Sequence, residues 1–251
     1  MTPKTIHLCW FSADPYPVEI KMCLESWAKL IPDYTIRLWT AEDARSIGIP
    51  FINEALEERR WAFAADVVRV YAVYAEGGVY ADSDILLYKR FDAFLPKEEE
   101  GDVFVTFHDD VEPGRDRHDS GDFGLNAAFF IGTKGNTFCR ELLDYYTSRH
   151  YRQADGTFDN TISPHVMRTV AKGWGWVMED RYQELTKEGA VLRVYPTHYL
   201  APKKKYRATR ETFARHCVYG SWRKRKWGRQ VEIRTKHAWN VVKYFLTHLG
   251  R

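Results

Sequence analysis

The sequence contains few cysteines and no long apolar run. Its four cysteines, Cys9, Cys23, Cys139 and Cys217, lie far apart, without a C-x-x-C pair or a histidine at zinc-ligand spacing. We therefore expect reduced thiols, which are typical of a reducing compartment. The chain also lacks a run of about 18 apolar residues, and its first apolar stretch is too short for a signal peptide. These absences predict a cytoplasmic protein.

A large excess of charge of one sign is also absent. The formal net charge of the 251 residues is +3, which is too small to indicate a nucleic-acid partner. Only the end of the chain is strongly basic, since Glu232 is the single acid after Arg223. No fixed-period repeat or linker interrupts the sequence. We therefore expect one domain over residues 1–222, near the upper end of single-domain lengths, and a basic amphipathic arm over residues 223–251.

Strand and helix patterns alternate over the first part of the chain. Apolar periodicity and turn residues predict strands at 5–11, 34–39, from 79, and at 101–107, 125–131 and 191–196, with helices between Pro17 and Pro32 and at 53–76, 136–151 and 231–249. This alternation predicts an α/β fold with a mainly parallel central sheet. Ligands of such sheets bind at the carboxyl ends of the strands.

Two acids, Asp82 and Asp84, follow one of these short strands in the stretch GGVYADSD, residues 77–84. In an extended strand their side chains would point to the same side, with Ser83 opposed. Two carboxylates this close repel each other, and one takes up a proton unless a cation lies nearby. Mg²⁺ or Mn²⁺ accepts such carboxylates and leaves positions for substrate phosphates. Taken alone, however, the pair is more often an ordinary polar turn after a strand.

Asp66 and Arg69 lie three residues apart on one face of the helix that precedes the double glycine. As an exposed ion pair they would contribute about 0.2–0.5 kcal/mol. Much of the surrounding helix is small or apolar, which indicates burial instead. Buried charges need partners or a polar ligand.

The block RRWAFAADVVRVYAVYAEGGVYADSD, residues 59–84, resembles the signature of the sugar-transferring DXD glycosyltransferases of family 32, and more distantly that of clostridial glucosylating toxins. The pattern is matched at Ala62, Asp66, Arg69, Gly77, Gly78, Tyr80, Asp82 and Asp84. The opening segment, residues 4–27, resembles the first strand and helix of that family, and HCVYGSW, residues 216–222, resembles its closing motif. The resemblance is weakest between about residues 95 and 190.

The resemblance implies a GT-A type fold, in which a Rossmann-like half binds a nucleotide-sugar. Trp10 would stack on the nucleotide base, although without the family it would be interpreted as a core residue. Asp66 and Arg69 would hold hydroxyls of the transferred sugar. Asp82 and Asp84 would face a Mn²⁺ or Mg²⁺ ion that bridges the diphosphate.

Further site residues follow from the same resemblance. His216 would add a metal or phosphate contact, and Ser221 and Trp222 would close over the diphosphate, although so short a motif is weak support. Tyr80 and Ser83 belong to the expected donor-binding set.

Three polar residues of the middle region have two interpretations each. Asn126 would contact the donor sugar or the acceptor, or would be a cap or turn residue before its strand. Asp159 and Asn160 would line the acceptor side or form a turn.

The expected activity is a retaining, metal-dependent hexosyl transfer. Enzymes resembling this family keep the anomeric configuration of the donor, and no carboxylate of the sequence clearly stands opposite the anomeric carbon. We therefore expect same-face displacement, in which the departing phosphate takes the proton of the acceptor. UDP-galactose or UDP-glucose is the expected donor, and a glycan or lipid-linked saccharide of bacterial surface polysaccharide or glycolipid synthesis is the expected acceptor.

The basic arm mixes cations with tryptophans and other apolar residues that share part of one helical face. This pattern is expected of a helix on an anionic membrane surface, and a plain surface helix packed on the domain is the alternative. Membrane docking is slightly favoured, because polysaccharide glycosyltransferases commonly act on lipid-linked acceptors. It would place the protein on the inner face of the plasma membrane.

Two other classes of function remain open. A metal-dependent phosphoryl-transfer enzyme or nuclease would also use Asp82 and Asp84, but it would need a further acidic ligand, and no Walker-type glycine loop is present. A nucleic-acid-binding protein would use the basic arm, but this leaves the middle of the chain unexplained. We therefore expect no nucleic-acid partner.

Overall fold

Short apolar segments of the chain form a central sheet in the computed structural model, which describes residues 2–109, 124–200 and 208–217 together with Thr235 and Trp239. The strands are β1 (Thr5–Cys9), β2 (Thr35–Trp39), β3 (Gly78–Ala81), β4 (Ile85–Leu87), β5 (Val103–Asp109), β6 (Gly124–Leu125), β7 (Phe129–Gly132), β8 (Gln183–Lys187), β9 (Ala190–Tyr195) and β10 (Ala214–His216). The helices are α1 (Val18–Leu30), α2 (Ala41–Ser46), α3 (Pro50–Glu57), α4 (Trp61–Glu76), α5 (Thr137–Thr147) and α6 (Ser163–Gly173).

The main sheet has the order β2-β1-β3-β7-β5-β9-β8, with β6 beside β5. Strand β1 is parallel to β2 and β3, and β5 is parallel to β9. Strand β7 runs antiparallel to both β3 and β5, and β8 runs antiparallel to β9. Strands β2, β1, β3, β5 and β9 therefore share one direction. The expected α/β fold with a mainly parallel central sheet is confirmed.

The two faces of the sheet are buried by different layers. Side chains alternate along each strand, so Tyr80 of β3 packs with the layer of helices α3 to α6, whereas its neighbours Val79 and Ala81 pack with α1 and with the β4–β10 pair. The acidic loop after β3 thus leaves the sheet between two packed layers.

The helix expected over residues 53–76 is in fact two helices, α3 and α4. At the end of α3 the N–H groups of Arg59 and Arg60 bond back to the carbonyls of Leu56 and Ala55, at 3.0 and 2.8 Å. Arg59 has a φ of 53°. This is the Schellman termination, in which the left-handed position is usually glycine. Because an arginine stands there, the sequence carries no visible stop signal.

The strand expected at 125–131 is also divided, into β6 and β7. The side-chain oxygen of Asn126 accepts hydrogen bonds from the N–H groups of Ala128 and Phe129, at 2.9 and 3.1 Å, and so forms a turn between the two strands. The helix expected at 136–151 begins at Thr137, because Asn136 is its N-cap and accepts a bond from the Cys139 N–H at 3.0 Å.

Several short elements escaped the sequence patterns, namely α2, α6, β4, β8 and β10. Segments of three to six residues offer too few positions for a periodic signal, and α6 falls in the region where the expected patterns were weakest. The C-terminal helix expected at 231–249 and the domain boundary at 222 lie outside the described residues, apart from Thr235 and Trp239. In the part of the chain that the structure describes, every helix is too short or too polar to cross a bilayer.

Candidate active site

The two acids of GGVYADSD lie in a turn and not in an extended strand. Strand β3 ends at Ala81, and the N–H of Ile85 bonds to the carbonyl of Asp82 at 3.0 Å. The expected alternation of side chains about Ser83 is therefore wrong. The turn nevertheless brings the two acids together, because ligand atoms of Asp82, Asp84 and His216 all lie within 4.8 Å of one another.

His216 reaches this turn through the pairing of β10 with β4. The two strands are antiparallel, and His216 stands opposite Ile85, the residue that follows Asp84. Its Nε2 atom lies 3.3 Å from Asp84 Oδ1 and 4.0 Å from Asp82 Oδ2. A residue far away in the sequence thereby completes a cluster of two carboxylates and one imidazole.

The charge of this cluster is set by its acids. Burial alone would lower the pKa of His216, but the carboxylates of Asp84 and Asp82 outweigh burial and raise that pKa to about 9. Asp109 contributes in the same direction. A proton on His216 thus compensates excess negative charge, and a divalent cation would do so better. Two carboxylates and an imidazole form a donor set that fits Mn²⁺ or Mg²⁺.

Hydrogen bonds hold Asp82 in place. The Tyr80 hydroxyl donates to Asp82 Oδ1 at 2.6 Å, and the Asp82 N–H donates to the carbonyl of Ala128 at 2.7 Å. Tyr80 is almost completely buried, and the Arg69 guanidinium lies over its ring, 4.9 Å from the centroid. Tyr80 therefore orients the Asp82 carboxylate from the buried side of the cluster.

Arg69 links the acidic cluster to Asp66. Asp66 and Arg69 are each only 7% exposed, which confirms the expected burial. Arg69 Nη2 lies 2.8 Å from Asp66 Oδ1, and Arg69 Nη1 lies 3.6 Å from Asp82 Oδ1. Two further donors of Arg69 are used by backbone carbonyls, with Nη1 bonded to Ala127 at 2.7 Å and Nε bonded to Ala65 at 3.0 Å. The guanidinium is therefore fixed in position.

Both carboxylate oxygens of Asp66 are also engaged. Oδ1 meets Arg69, and Oδ2 accepts a hydrogen bond from the N–H of Ser163 at 3.0 Å. Burial raises the pKa of Asp66 to about 6, although Arg69 and the Ser163 N–H both counteract the rise. At neutral pH the carboxylate is therefore mostly ionised and oriented by the two partners.

A cavity of about 620 Å³ contains these groups. Eight of the predicted site residues line it, namely Trp10, Asp66, Arg69, Tyr80, Asp82, Ser83, Asp84 and His216. Trp10 is only partly buried, its indole N–H donates to the carbonyl of Asp14 at 3.0 Å, and its ring meets Tyr16 edge-on. Trp10 therefore belongs to the cavity wall and not to the core.

The other predicted residues lie elsewhere. Asn126 is fully buried, lies outside the cavity lining and forms the turn between β6 and β7. Asp159 accepts a hydrogen bond from the Thr161 N–H at 2.9 Å, and Asn160 donates one to the carbonyl of Phe158 at 3.1 Å. Both residues therefore form a turn, which was the alternative to a place on the acceptor side. Ser221 and Trp222 lie outside the described residues.

Sequence reasoning missed part of the cavity wall. Asp109, at the end of β5, is 8% exposed and lines the cavity. The predicted strand stopped two residues earlier, and a longer strand would have placed this acid at a carboxyl end. Arg59, Arg60 and Trp61 also line the cavity. They lie in the break between α3 and α4, which was not predicted.

One comparison with known proteins matches the part of the chain that carries Asp66, Arg69, Asp82 and Asp84. Residues 17–100 match a family model described as "Glycosyltransferase sugar-binding region containing DXD motif". Comparison with curated proteins found no match. The matched region supports a glycosyltransferase that carries a DXD-containing sugar-binding region.

Several solved structures resemble the chain at low sequence identity. "PaToxG Glycosyltransferase" has a TM-score of 0.49 and 17% identity over 68% of each chain. A glycosyltransferase involved in the glycosylation of the major capsid of PBCV-1 has a TM-score of 0.46 and 13% identity over 85% of this chain and 93% of its own. The glycosyltransferase GlyE of Streptococcus pneumoniae TIGR4 has a TM-score of 0.45 and 13% identity over 99% of this chain and 64% of its own.

Proposed function

We propose that the protein is a retaining, metal-dependent glycosyltransferase of family 32 that transfers a hexose from UDP-galactose or UDP-glucose. The acceptor would be a glycan or lipid-linked saccharide of bacterial surface polysaccharide or glycolipid synthesis. One observation carries the proposal: the cluster of Asp82, Asp84 and His216 shares a cavity with the buried pair of Asp66 and Arg69, and Arg69 connects the two groups.

Asp82, Asp84 and His216 would hold Mn²⁺ or Mg²⁺. The bound ion would neutralise the negative charge that builds on the leaving nucleoside diphosphate. Tyr80 keeps Asp82 oriented toward the cavity through its hydrogen bond. Ser83, which lines the cavity between the two acids, would contact the diphosphate.

The donor sugar and base would be bound by the rest of the cavity. The Asp66 carboxylate would accept hydrogen bonds from sugar hydroxyls, and the Arg69 guanidinium would donate to them. Trp10 would stack on the uracil base, a contact that contributes about 1–3 kcal/mol in comparable base-stacking sites. Ser221 and Trp222, which lie outside the described residues, would close over the diphosphate.

The reaction would proceed by displacement on one face of the sugar. The bond between the anomeric carbon and the phosphate oxygen breaks, and its electron pair remains on that oxygen. The acceptor hydroxyl oxygen bonds to the same carbon from the same side, and its proton passes to the departing phosphate oxygen. Both oxygens of Asp66 already have partners, which supports a role in orienting the sugar and not in attacking it. Isolation of a covalent glycosyl-enzyme would overturn this mechanism.

A thermal-shift panel of UDP- and GDP-sugars, each with and without Mn²⁺, tests the proposed donor. Ligands that bind only the native state raise its unfolding temperature. We expect the largest rise with UDP-galactose or UDP-glucose in the presence of Mn²⁺, and a smaller rise when EDTA replaces the metal. A larger rise with GDP-sugars would contradict the proposed nucleotide, and no rise with any donor would contradict the proposed function.

A second part of the proposal concerns the basic arm, residues 223–251, which lies almost wholly outside the described residues. Its mixture of cations and aromatic side chains supports docking onto an anionic membrane, where lipid-linked acceptors are found. This would make the protein peripheral on the inner face of the plasma membrane.

A further inference from the structure

The corner between α3 and α4 places two arginines on the cavity wall that have no partner among the described residues. Arg59 and Arg60 are exposed and line the cavity. Neither side chain forms an ion pair or a hydrogen bond with any residue that the structure describes. The acids that precede them, Glu57 and Glu58, are instead paired with Arg152, at 2.9 and 2.8 Å. The two guanidinium groups are therefore free to bind a ligand.

Arg59 has a backbone conformation that is unfavourable for residues other than glycine. Its φ of 53° lies in the left-handed region, at the position of a Schellman termination where glycine is usual. A side chain with a Cβ atom is strained there. Strained residues of this kind persist at binding sites when the side chain has a function. Glu188 has a similar φ outside the cavity, so the outlier supports a function of Arg59 only together with the position of its side chain on the cavity wall.

Helix α4 gives the position of these arginines relative to the proposed donor. Arg69 contacts Asp82 of the metal cluster, and Asp66 lies almost one turn nearer the start of the helix. Trp61 lies five residues before Asp66, which is about 7 Å along the axis at a rise of about 1.5 Å per residue. With the diphosphate at the cluster and the hexose at Asp66 and Arg69, the arginines lie beyond the hexose. In same-face displacement the reacting hydroxyl of the acceptor lies beside the diphosphate, so the arginines would bind the remainder of the acceptor, which extends past the hexose along the same cavity.

The chemistry of this corner favours an anionic saccharide. Guanidinium groups bind phosphates and carboxylates through paired hydrogen bonds. The indole of Trp61, which is partly buried beside them, offers a flat apolar surface to a sugar ring. We infer that Arg59, Arg60 and Trp61 form the acceptor subsite and select a saccharide that bears a phosphate or a carboxylate. The inference rests on the proposed function, since it is the donor that defines the acceptor side.

Binding of small saccharides tests this subsite directly. Glucose, glucose 6-phosphate and glucuronic acid are titrated onto the full-length protein with Mn²⁺ and UDP present, and binding is followed by NMR. We expect at least one anionic sugar to bind about tenfold or more tightly than glucose. The two anions distinguish a phosphate subsite from a carboxylate subsite.

Substitution of the arginines should remove this preference. In Arg59→Gln/Arg60→Gln the anionic sugar should bind no better than glucose, while the affinity for UDP with Mn²⁺ stays unchanged. The matched control is Arg45→Gln/Arg140→Gln, which removes two exposed arginines outside the cavity lining and should retain the preference. Arg59→Gly is a further variant that suits the left-handed backbone and hence the fold, and it should also weaken anion binding.

Three results would overturn the inference. The first is equal binding of glucose and both anions by the unmodified protein, and the second is an anion preference that survives in Arg59→Gln/Arg60→Gln. The third is loss of UDP binding in that variant, which would assign the arginines to the donor. Failure of the unmodified protein to bind UDP with Mn²⁺ would instead contradict the proposed function, while titration of the same sugars without UDP would still test the subsite alone.

Discussion

At the residue scale, Arg69 connects two carboxylates that the proposed mechanism uses differently. Asp66 faces the sugar end, and Asp82 belongs to the metal cluster. In the proposed mechanism this guanidinium would set the distance between the donor sugar and the diphosphate, because two of its donors are tied to backbone carbonyls. Preorganised polar groups of this kind require little reorganisation during the reaction.

The acids after the double glycine should be dispensable for folding and essential for turnover. Asp82→Asn/Asp84→Asn removes the repulsion between two carboxylates together with their attraction to His216 and Arg69. Because these effects oppose each other, the unfolding temperature should remain nearly unchanged. Mn²⁺-dependent hydrolysis of the UDP-sugar should be abolished, because the cation loses two of its ligands. Asp144→Asn, at an exposed position of α5, is the control. Full turnover by the double variant would falsify the metal role.

Asp66 should make the stability of the protein depend on pH. Its pKa is about 6 in the folded protein and about 3.8 when unfolded, so the folded state binds more protons between these values. The free energy of unfolding attributable to Asp66 should therefore fall as the pH rises from about 4 to about 6, by about 3 kcal/mol, and then stay constant. The charged or titratable groups that face Asp66 are Arg69, Asp82 and Tyr146.

Urea unfolding of the wild type and of Asp66→Asn at several pH values measures this contribution. Other carboxylates titrate equally in both proteins, so the difference between the two isolates Asp66. A difference that is independent of pH would show that Asp66 does not titrate in this range.

At the scale of elements, two strands and a helix place the metal cluster. Strand β4 is held against α1, because the Trp27 indole N–H donates to the carbonyl of Ile85 at 2.7 Å and the Leu87 N–H donates to the Ser26 hydroxyl at 3.0 Å. Strand β10 then pairs with β4 and brings His216 to the acids. The packing of α1 against β4 thus indirectly determines the position of His216.

The corner between α3 and α4 allows a test of strain at the same scale. Arg59→Gly should raise the free energy of unfolding by about 0.5–1 kcal/mol, because glycine adopts a φ of 53° without the Cβ penalty. Equilibrium unfolding in urea measures the change. Glu188→Gly is a matched control, since Glu188 has a φ of 52° in the β8–β9 turn, outside the cavity lining. Both variants should be more stable, but only Arg59→Gly should lose anion binding.

At the scale of the whole molecule, the cavity and the basic arm would together allow the protein to use a lipid-linked acceptor at a membrane surface. A catalytic domain that takes a lipid-linked acceptor gains effective concentration when it is held at the membrane surface. The described residues contain no helix able to span a bilayer. The proposed attachment uses the charges and aromatic side chains of residues 223–251.

Charge reversal in the full-length protein tests this attachment. Arg223→Glu/Lys224→Glu/Arg225→Glu/Lys226→Glu should reduce binding to anionic vesicles by about 100-fold or more, since each cation near such a surface contributes about 1 kcal/mol. Vesicle flotation at two salt concentrations measures the effect, and donor hydrolysis provides the check that the domain is intact. Equal flotation of both proteins would exclude electrostatic docking by this segment.

The sequence alone determined the fold class and the charged residues at the centre of the site. Asp66, Arg69, Asp82 and Asp84 lie in one local unit of helix, double glycine and strand, in which spacing along the chain decides which side chains meet. The alternation of strand and helix patterns likewise determined the mainly parallel sheet.

Only the tertiary structure decided which distant residues complete the site. His216 joins the cluster through the pairing of β10 with β4, and Asn126 lies outside the cavity lining, where its side chain forms a turn. Arg59 faces the cavity because α3 ends in a left-handed residue that is not glycine. The physical reason is the same in each case: periodicity records which face of an element is apolar, whereas contacts between distant segments depend on how those faces pack together.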